Sequence, residues 1–233
     1  MPVVFTVKQG DETLTSHAGL ALIGALLGRT NLLRSLNETV LNYCRNPVIS
    51  HSDMIISLIG LICLGKPDYE AIELFRNQSF FTQSLGIDQC PSSSALRQRI
   101  DIIKNSFDTI LKEESADLIR RYAPKITPIK TSCGLFVPVD NDVSIFDNSK
   151  TQKEGVSRSY NGKDGFAPMF SYMGREGYLI NFEFREGSQH CQKNTPQFIA
   201  ETIQYAKKIT DQRLLLRFDS GNDSWDNIVV CQT

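Results

Sequence analysis

Histidine is scarce in this chain: three stand in 233 residues, at positions 17, 51 and 190. The six cysteines, at 44, 63, 90, 133, 191 and 231, form no C-x-x-C pair. A structural zinc site needs closely spaced Cys and His ligands, so none is expected. His190 and Cys191 are neighbours, and on a strand or loop adjacent side chains point apart rather than towards one ion. Cysteines scattered without pairs fit a reducing cytoplasm better than a disulfide framework. Long apolar runs are missing as well. Ala18–Leu27 and Met54–Leu64 fall short of the roughly 18 to 20 residues that cross a bilayer, so they read as buried helices and no membrane contact is expected. The start, Met1–Lys8, lacks a charged leader followed by an apolar core, the mark of a targeting segment. An excess of one charge is absent too. The net charge is −1, whereas a chain that binds polyanions over its whole surface is basic. Nucleic-acid contact is therefore restricted to local clusters. No internal repeat or low-complexity tract appears.

What is present suffices for a real core. Hydrophobic residues make up 41% and charged residues 22%, and the length suits one large domain or two small ones. Residues 3–8 read as a short strand. Thr15 or Ser16 is placed to cap a helix that Gly28 stops. Residues 31–45 carry Leu32, Leu33, Leu36, Val40 and Leu41 on one side, and Ser52 is placed to cap the next helix, with Gly65 ending it. Pro67 opens a further helix to about residue 76. The first 90 residues thus read as a helical block. Pro91-Ser92-Ser93-Ser94 then caps a helix in which Leu96, Ile100, Ile103, Phe107 and Ile110 keep helical spacing, with a second helix over 108–122. Arg97, Arg99 and Lys104 lie off that stripe, and a short helix with exposed arginines behind a serine turn suits a DNA groove. The basic, proline-containing stretch 120–130 reads as a linker, so the expected division is 1–130 and 131–233.

After residue 131 the pattern turns to strands. Leu135–Phe146, Phe166–Met173 and Tyr178–Arg185 are strand-like, and Gly174–Gly177 supplies a hairpin turn. Thr195 and Pro196 open a helix to about Lys208, and Arg213–Asp219 is an apolar strand suited to burial on both faces. A strand meander followed by a helical crossover to another strand is how a ribonuclease-H-like core begins. The expected class is therefore α+β, a helical N-terminal region before an incomplete ribonuclease-H-like mixed sheet.

Two of these strands deliver aspartates. Asp140 and Asp142 share one strand face, because side chains alternate, and periodicity does not choose between them. Asp219 ends the last strand. Carboxylates side by side repel, and a divalent cation is the usual remedy. If the two strands are neighbours, the pair suits Mg²⁺-dependent attack on a phosphodiester. Lys150, Lys153, Arg158 and Lys163 follow the first of these strands and suit phosphate contacts.

Longer motifs carry a resemblance. They are Asp142-x-Ser144, then Asp147-Asn148-Ser149-Lys150-Thr151-x-Lys153-Glu154-Gly155-Val156-Ser157-Arg158, then Tyr160-x-Gly162-x-Asp164-Gly165-x-Ala167-Pro168. Arg185-Glu186-Gly187-Ser188-Gln189-His190-Cys191 and Arg217-x-Asp219-Ser220-Gly221-Asn222 follow. With Thr15–Leu20 and Pro91–Arg99 upstream, almost the whole chain resembles a bacterial insertion-sequence transposase of the DDE type, group 1. The resemblance implies cutting and joining of element-end DNA with Mg²⁺, Mn²⁺ being a possible substitute, on double-stranded terminal inverted repeats and target DNA. It places the first catalytic, metal-binding aspartate on Asp142, with Asp140 as second choice, and the second on Asp219. It makes Arg97, Arg99, Lys150, Lys153 and Arg158 candidates for DNA contact. The family's glutamate lies well beyond the second aspartate and has no counterpart here. The expectation is thus a C-terminally truncated transposase, inactive alone, acting as a homodimer or in mixed assembly with intact transposase in the bacterial cytoplasm. The alternative is a DNA-binding fragment without catalysis, a remnant or an inhibitor.

Overall fold

In the computed structural model the described residues are 10, 15–41, 47–103 and 105–232. The strand expected over 3–8, Cys44 and Lys104 lie outside them. The chain forms two compact units, Met1–Phe107 and Asp108–Thr233.

The first unit is helical. Its elements are α1 (Leu20–Leu27), α2 (Leu32–Glu38), α3 (His51–Cys63), a 3₁₀ turn (Tyr69–Leu74), α4 (Ser79–Leu85) and α5 (Ser93–Ile103). α3 is buried over most of its length, so its flanks decide where it starts. Ser50, not the expected Ser52, is the cap: its Oγ accepts from Asp53 N at 2.9 Å. Ser52 instead joins Asn37, whose Nδ2 donates to Ser52 Oγ at 3.0 Å. Asp53 accepts from Gln89 N at 3.1 Å, tying the helix start to the chain before α5. Gly60 lets α3 approach α4, since a Cβ there would press on the Leu85 and Phe81 side chains. The helix expected from Pro67 is only the 3₁₀ turn, because Asp68 takes the cap, accepting from Ala71 N at 2.9 Å. The helix expected from Thr15 or Ser16 begins only at Leu20.

The second unit begins earlier than the linker composition indicates. α6 (Asp108–Tyr122) belongs to it, because Ala116 and Ile119 pack on its core. The main sheet has order β8–β2–β6–β7, built from β2 (Gly134–Val143), β6 (Met169–Met173), β7 (Tyr178–Glu183) and β8 (Leu214–Arg217). β1 (Ile129–Thr131) forms a hairpin with the start of β2. β2 runs antiparallel to β6 and parallel to β8. The crossover from β7 to β8 is α7 (Thr195–Ile209), which buries Phe198, Ile199, Thr202, Tyr205, Ala206 and Ile209. This α+β architecture, an antiparallel β2–β6–β7 meander with β8 added parallel at the β2 edge, is consistent with the ribonuclease-H-like class that the motifs imply. A second sheet, of order β3–β5–β4, uses Phe146–Asp147, Asp164–Phe166 and Ser157–Arg158. α8 (Trp225–Cys231) follows a short 3₁₀ turn, Ser220–Asn222.

Strand parity decides which side chains meet the helices. Val137 and Val139 share a core with Met173, Ile180, Ala116, Tyr205, Ala206 and Ile209, and Leu214 and Leu216 pack against it. Burying these side chains contributes on the order of 1.5–3 kcal/mol each, which holds β8 on β2. Asn141 continues the helix-facing row and is buried, accepting from Ser171 Oγ. Ser171 Oγ lies 3.1 Å from Thr202 Oγ1, which accepts from Asn181 Nδ2 at 3.0 Å. Asp140, Asp142 and Arg217 occupy the alternate row, on the face turned away from α7.

Candidate functional site

The site lies where β2 and β8 end. Their register pairs Val139 with Leu216 and Asp140 with Arg217. Asp142 lies two residues after Asp140 and Asp219 two residues after Arg217, both past the end of this paired stretch. Asp219 keeps an extended backbone, φ −74° and ψ 169°, and precedes the 3₁₀ turn. Both aspartates are exposed.

Asp140 and Asp142 differ in their partners. Arg217 grips Asp140 with two hydrogen bonds, Nε to Oδ1 at 2.5 Å and Nη2 to Oδ2 at 2.6 Å. This bond raises the Arg217 pKa, so the guanidinium stays charged. Asp142 has no cationic partner among the described residues; its Oδ1 accepts from the Val143 amide at 2.8 Å. Asp219 Oδ1 accepts from Asn222 Nδ2 at 2.7 Å. Asp142 near the end of β2 and Asp219 just after β8 offer hard oxygen donors of the kind that suits Mg²⁺ or Mn²⁺. They are a partial set: among the described residues no group of three or more His, Cys, Asp or Glu is placed to hold a metal.

A cavity of about 420 Å³ adjoins Asp219, and Arg158, Tyr160, His190 and Cys191 also line it. Arg158 is thus brought to the site, held at 3.2 Å from Asp164 with its side chain 70% exposed. Lys150 and Lys153 are exposed on the loop between β3 and β4 and make no ion pair among the described residues. Lys163 pairs with Asp147 at 3.3 Å. The Asp147 carboxyl is held down to about 2, first by the Ser149 hydroxyl and amide and then by Lys163.

The arginines of α5 are engaged elsewhere. Arg97 pairs with Glu70 and lies over the Tyr69 ring. Arg99 donates to Ile49 O at 3.2 Å and lies 3.2 Å from His51 Nδ1. Glu73 accepts from the first amide of α5, Ser93 N, at 2.7 Å, so an acidic group already occupies that helix start. This has a direct consequence for a phosphate, which would meet a carboxylate there.

Sequence reasoning assigned no role to Asn222, Gln192 or the Cys191 sulfur. Cys191 Sγ and Gln192 Nε2 donate to Gly221 O at 3.0 and 3.1 Å. Arg185, buried and paired with Glu183, donates to Cys191 O at 3.2 Å and so holds that loop. The signal available in the sequence was the run of small and amide residues directly after Asp219. No helix among the described residues is long and apolar enough to cross a membrane.

The chain was compared with known proteins. No curated protein and no solved structure matches it. The family described as transposase DDE domain group 1 matches residues 3–233. With nearly every residue inside that match, the chain belongs to the transposase DDE domain group 1 family.

Proposed function

We propose that the protein acts on the ends of a bacterial insertion sequence, cutting and joining double-stranded DNA by divalent-metal-dependent phosphoryl transfer at Asp142 and Asp219. The observation that carries this reading is the parallel β2–β8 register, with Asp140 withdrawn by Arg217 while Asp142 and Asp219 keep free oxygens. Asp142 and Asp219 would hold Mg²⁺ or Mn²⁺. When bound, such an ion lowers the pKa of an attacking water or 3′-hydroxyl and stabilises the leaving oxygen. Arg158 reaches a phosphate beside Asp219, and Lys150 and Lys153 track the DNA backbone. Arg97 and Arg99 join the contact only by giving up Glu70 and the Ile49–His51 segment, so they rank below the loop cations. The working form is a homodimer in the cytoplasm.

The 233-residue polypeptide on its own is a poor nuclease in this reading. Two carboxylates bind a metal weakly, and in-line attack tolerates little misplacement. The test uses a labelled inverted-repeat duplex with Mg²⁺ or Mn²⁺. A gel shift should weaken with salt, and Lys150→Ala with Lys153→Ala should lower the logarithmic salt slope by about 2. Cleavage should be trace and metal-dependent and should vanish in Asp142→Ala and Asp219→Ala. Robust cleavage that survives either substitution removes the two aspartates from the mechanism. A shift without any metal-dependent cleavage leaves the non-catalytic, inhibitory reading, and absence of a shift at low salt refutes DNA binding.

A further inference from the structure

Asn222 is buried, 4% exposed, at the end of the turn that follows Asp219. Its Nδ2 donates to Asp219 Oδ1 at 2.7 Å. Its carbonyl accepts from Asn227 Nδ2 at 2.7 Å, and Asn227 N is in turn capped by Ser224 Oγ at 3.3 Å. From the other side, Cys191 and Gln192 hold the Gly221 carbonyl, and Gln192 Nε2 also reaches Asp223 O at 3.4 Å. The turn is therefore pinned from two directions, and Asn222 is its one side chain that touches the aspartate carboxylate. The amide orientation follows from charge, because the opposite one would set Oδ1 against an anionic oxygen. The Asn222 Oδ1 is left buried without a partner.

We propose that Asn222 is a positioning residue for Asp219: it occupies Oδ1 and fixes the carboxylate plane, so that Oδ2 is the oxygen left for a cation. This rests on the metal reading given above. Outer partners of this kind orient ligating carboxylates, and their loss typically weakens metal binding about 10- to 100-fold.

The test is Mn²⁺ binding by the full chain, followed through the electron paramagnetic resonance of free Mn²⁺. It is paired with Tb³⁺ luminescence lifetimes in H₂O and D₂O, which count coordinated waters. Asn222→Leu keeps the bulk and removes the donor. It should bind Mn²⁺ about 10- to 100-fold more weakly. It should also lose about one Tb³⁺-bound water, because a freed Oδ1 lets the carboxylate chelate in both oxygens. Asn227→Ala loosens the turn but spares the donor, and should keep the wild-type water count. If Asn222→Leu fails to fold by circular dichroism, Asn222→Ser carries the same two readouts. Wild-type Mn²⁺ affinity in the variant overturns the proposal. So does weaker binding with an unchanged water count, which marks a turn that has merely loosened. If wild type and Asp219→Ala bind Mn²⁺ equally, the metal reading itself fails, and this inference falls with it.

Discussion

Arg217→Gln removes one positive charge two residues from Asp219 while keeping a polar side chain. Two effects compete. The Arg217–Asp140 pair is about half exposed, at 51% and 42%, so its direct contribution to stability is at most about 1 kcal/mol. The β8 register is held independently by parallel backbone pairing over Val137–Asp140 and by Leu214 and Leu216 on the core. Register should therefore survive, and the electrostatic effect should decide the outcome. Residues two apart on a strand stand about 6.6 Å apart, so about 8 Å is taken as the separation between the guanidinium and a cation that Asp219 would hold. A unit charge repels a divalent ion at that distance by about 1 kcal/mol in water, or about 2 at an effective dielectric near 40. Screening at 0.15 M leaves roughly 0.4–0.8 kcal/mol, which is about two- to fourfold in affinity. At 0.01 M roughly 0.8–1.6 kcal/mol survives, about four- to fifteenfold. Arg217→Gln should thus bind Mn²⁺ more tightly, and the gain should grow as salt is lowered. Isothermal titration calorimetry at the two ionic strengths measures both. Weaker binding would mean that the ion pair sets the strand register after all. An unchanged affinity at 0.01 M would mean that no cation sits near Asp219.

Ile180 is 2% exposed in the sheet core, so Ile180→Ala should lower unfolding free energy by about 2–4 kcal/mol, whereas Leu179→Ala, at 41% exposure, should cost under about 0.5; urea titration distinguishes them. A Cβ at Gly187 would fall on the Ser157 and Gly165 carbonyls, so Gly187→Ala should displace the small sheet. Its expected signature is weaker DNA binding with the main-sheet amides still protected from hydrogen exchange. Asp147 has a folded-state pKa of about 2, below its ordinary 3.8, so its stabilisation is complete above about pH 4 and is lost as pH falls towards 2. Exchange of the β3–β5 amides, corrected for intrinsic rates, should quicken between pH 4 and 2.5 in the wild type, and Asp147→Asn should be equally fast at both.

Local pattern was a good guide wherever one element decides its own shape. The alternation of Asp140 and Asp142 with their neighbours was legible from β2 alone, and the extent of α7, Thr195–Ile209, from Thr195, Pro196 and the run to Lys208. What depended on a distant partner was not. The helix over 108–122 was itself legible and is α6, Asp108–Tyr122, but not which unit it joins. α6 then belongs with the sheet, although the linker composition lies beyond it. β3 and β4 are two residues long and β5 three, too short for any period; only their mutual pairing makes them strands. α4 was missed because Ser79–Leu85 is a single short amphipathic stretch between turns. The exposed look of Arg97 and Arg99 on a helical wheel concealed Glu70 and Ile49, which lie 27 and 50 positions away.

The choice between Asp140 and Asp142 turns on the same physics. Both face one way, and β2 alone treats them alike. The difference comes from β8, which sets Arg217 against the first, while Asp142 lies past the end of the pairing. A cation opposite Asp140 neutralises it and takes both its oxygens; Asp142 has no such partner among the described residues. A one-residue slip would turn Arg217 to the helix-covered face and bury its charge in the α7 core. The apolar packing of Leu214 and Leu216 that fixes the fold thereby also fixes which carboxylate is free.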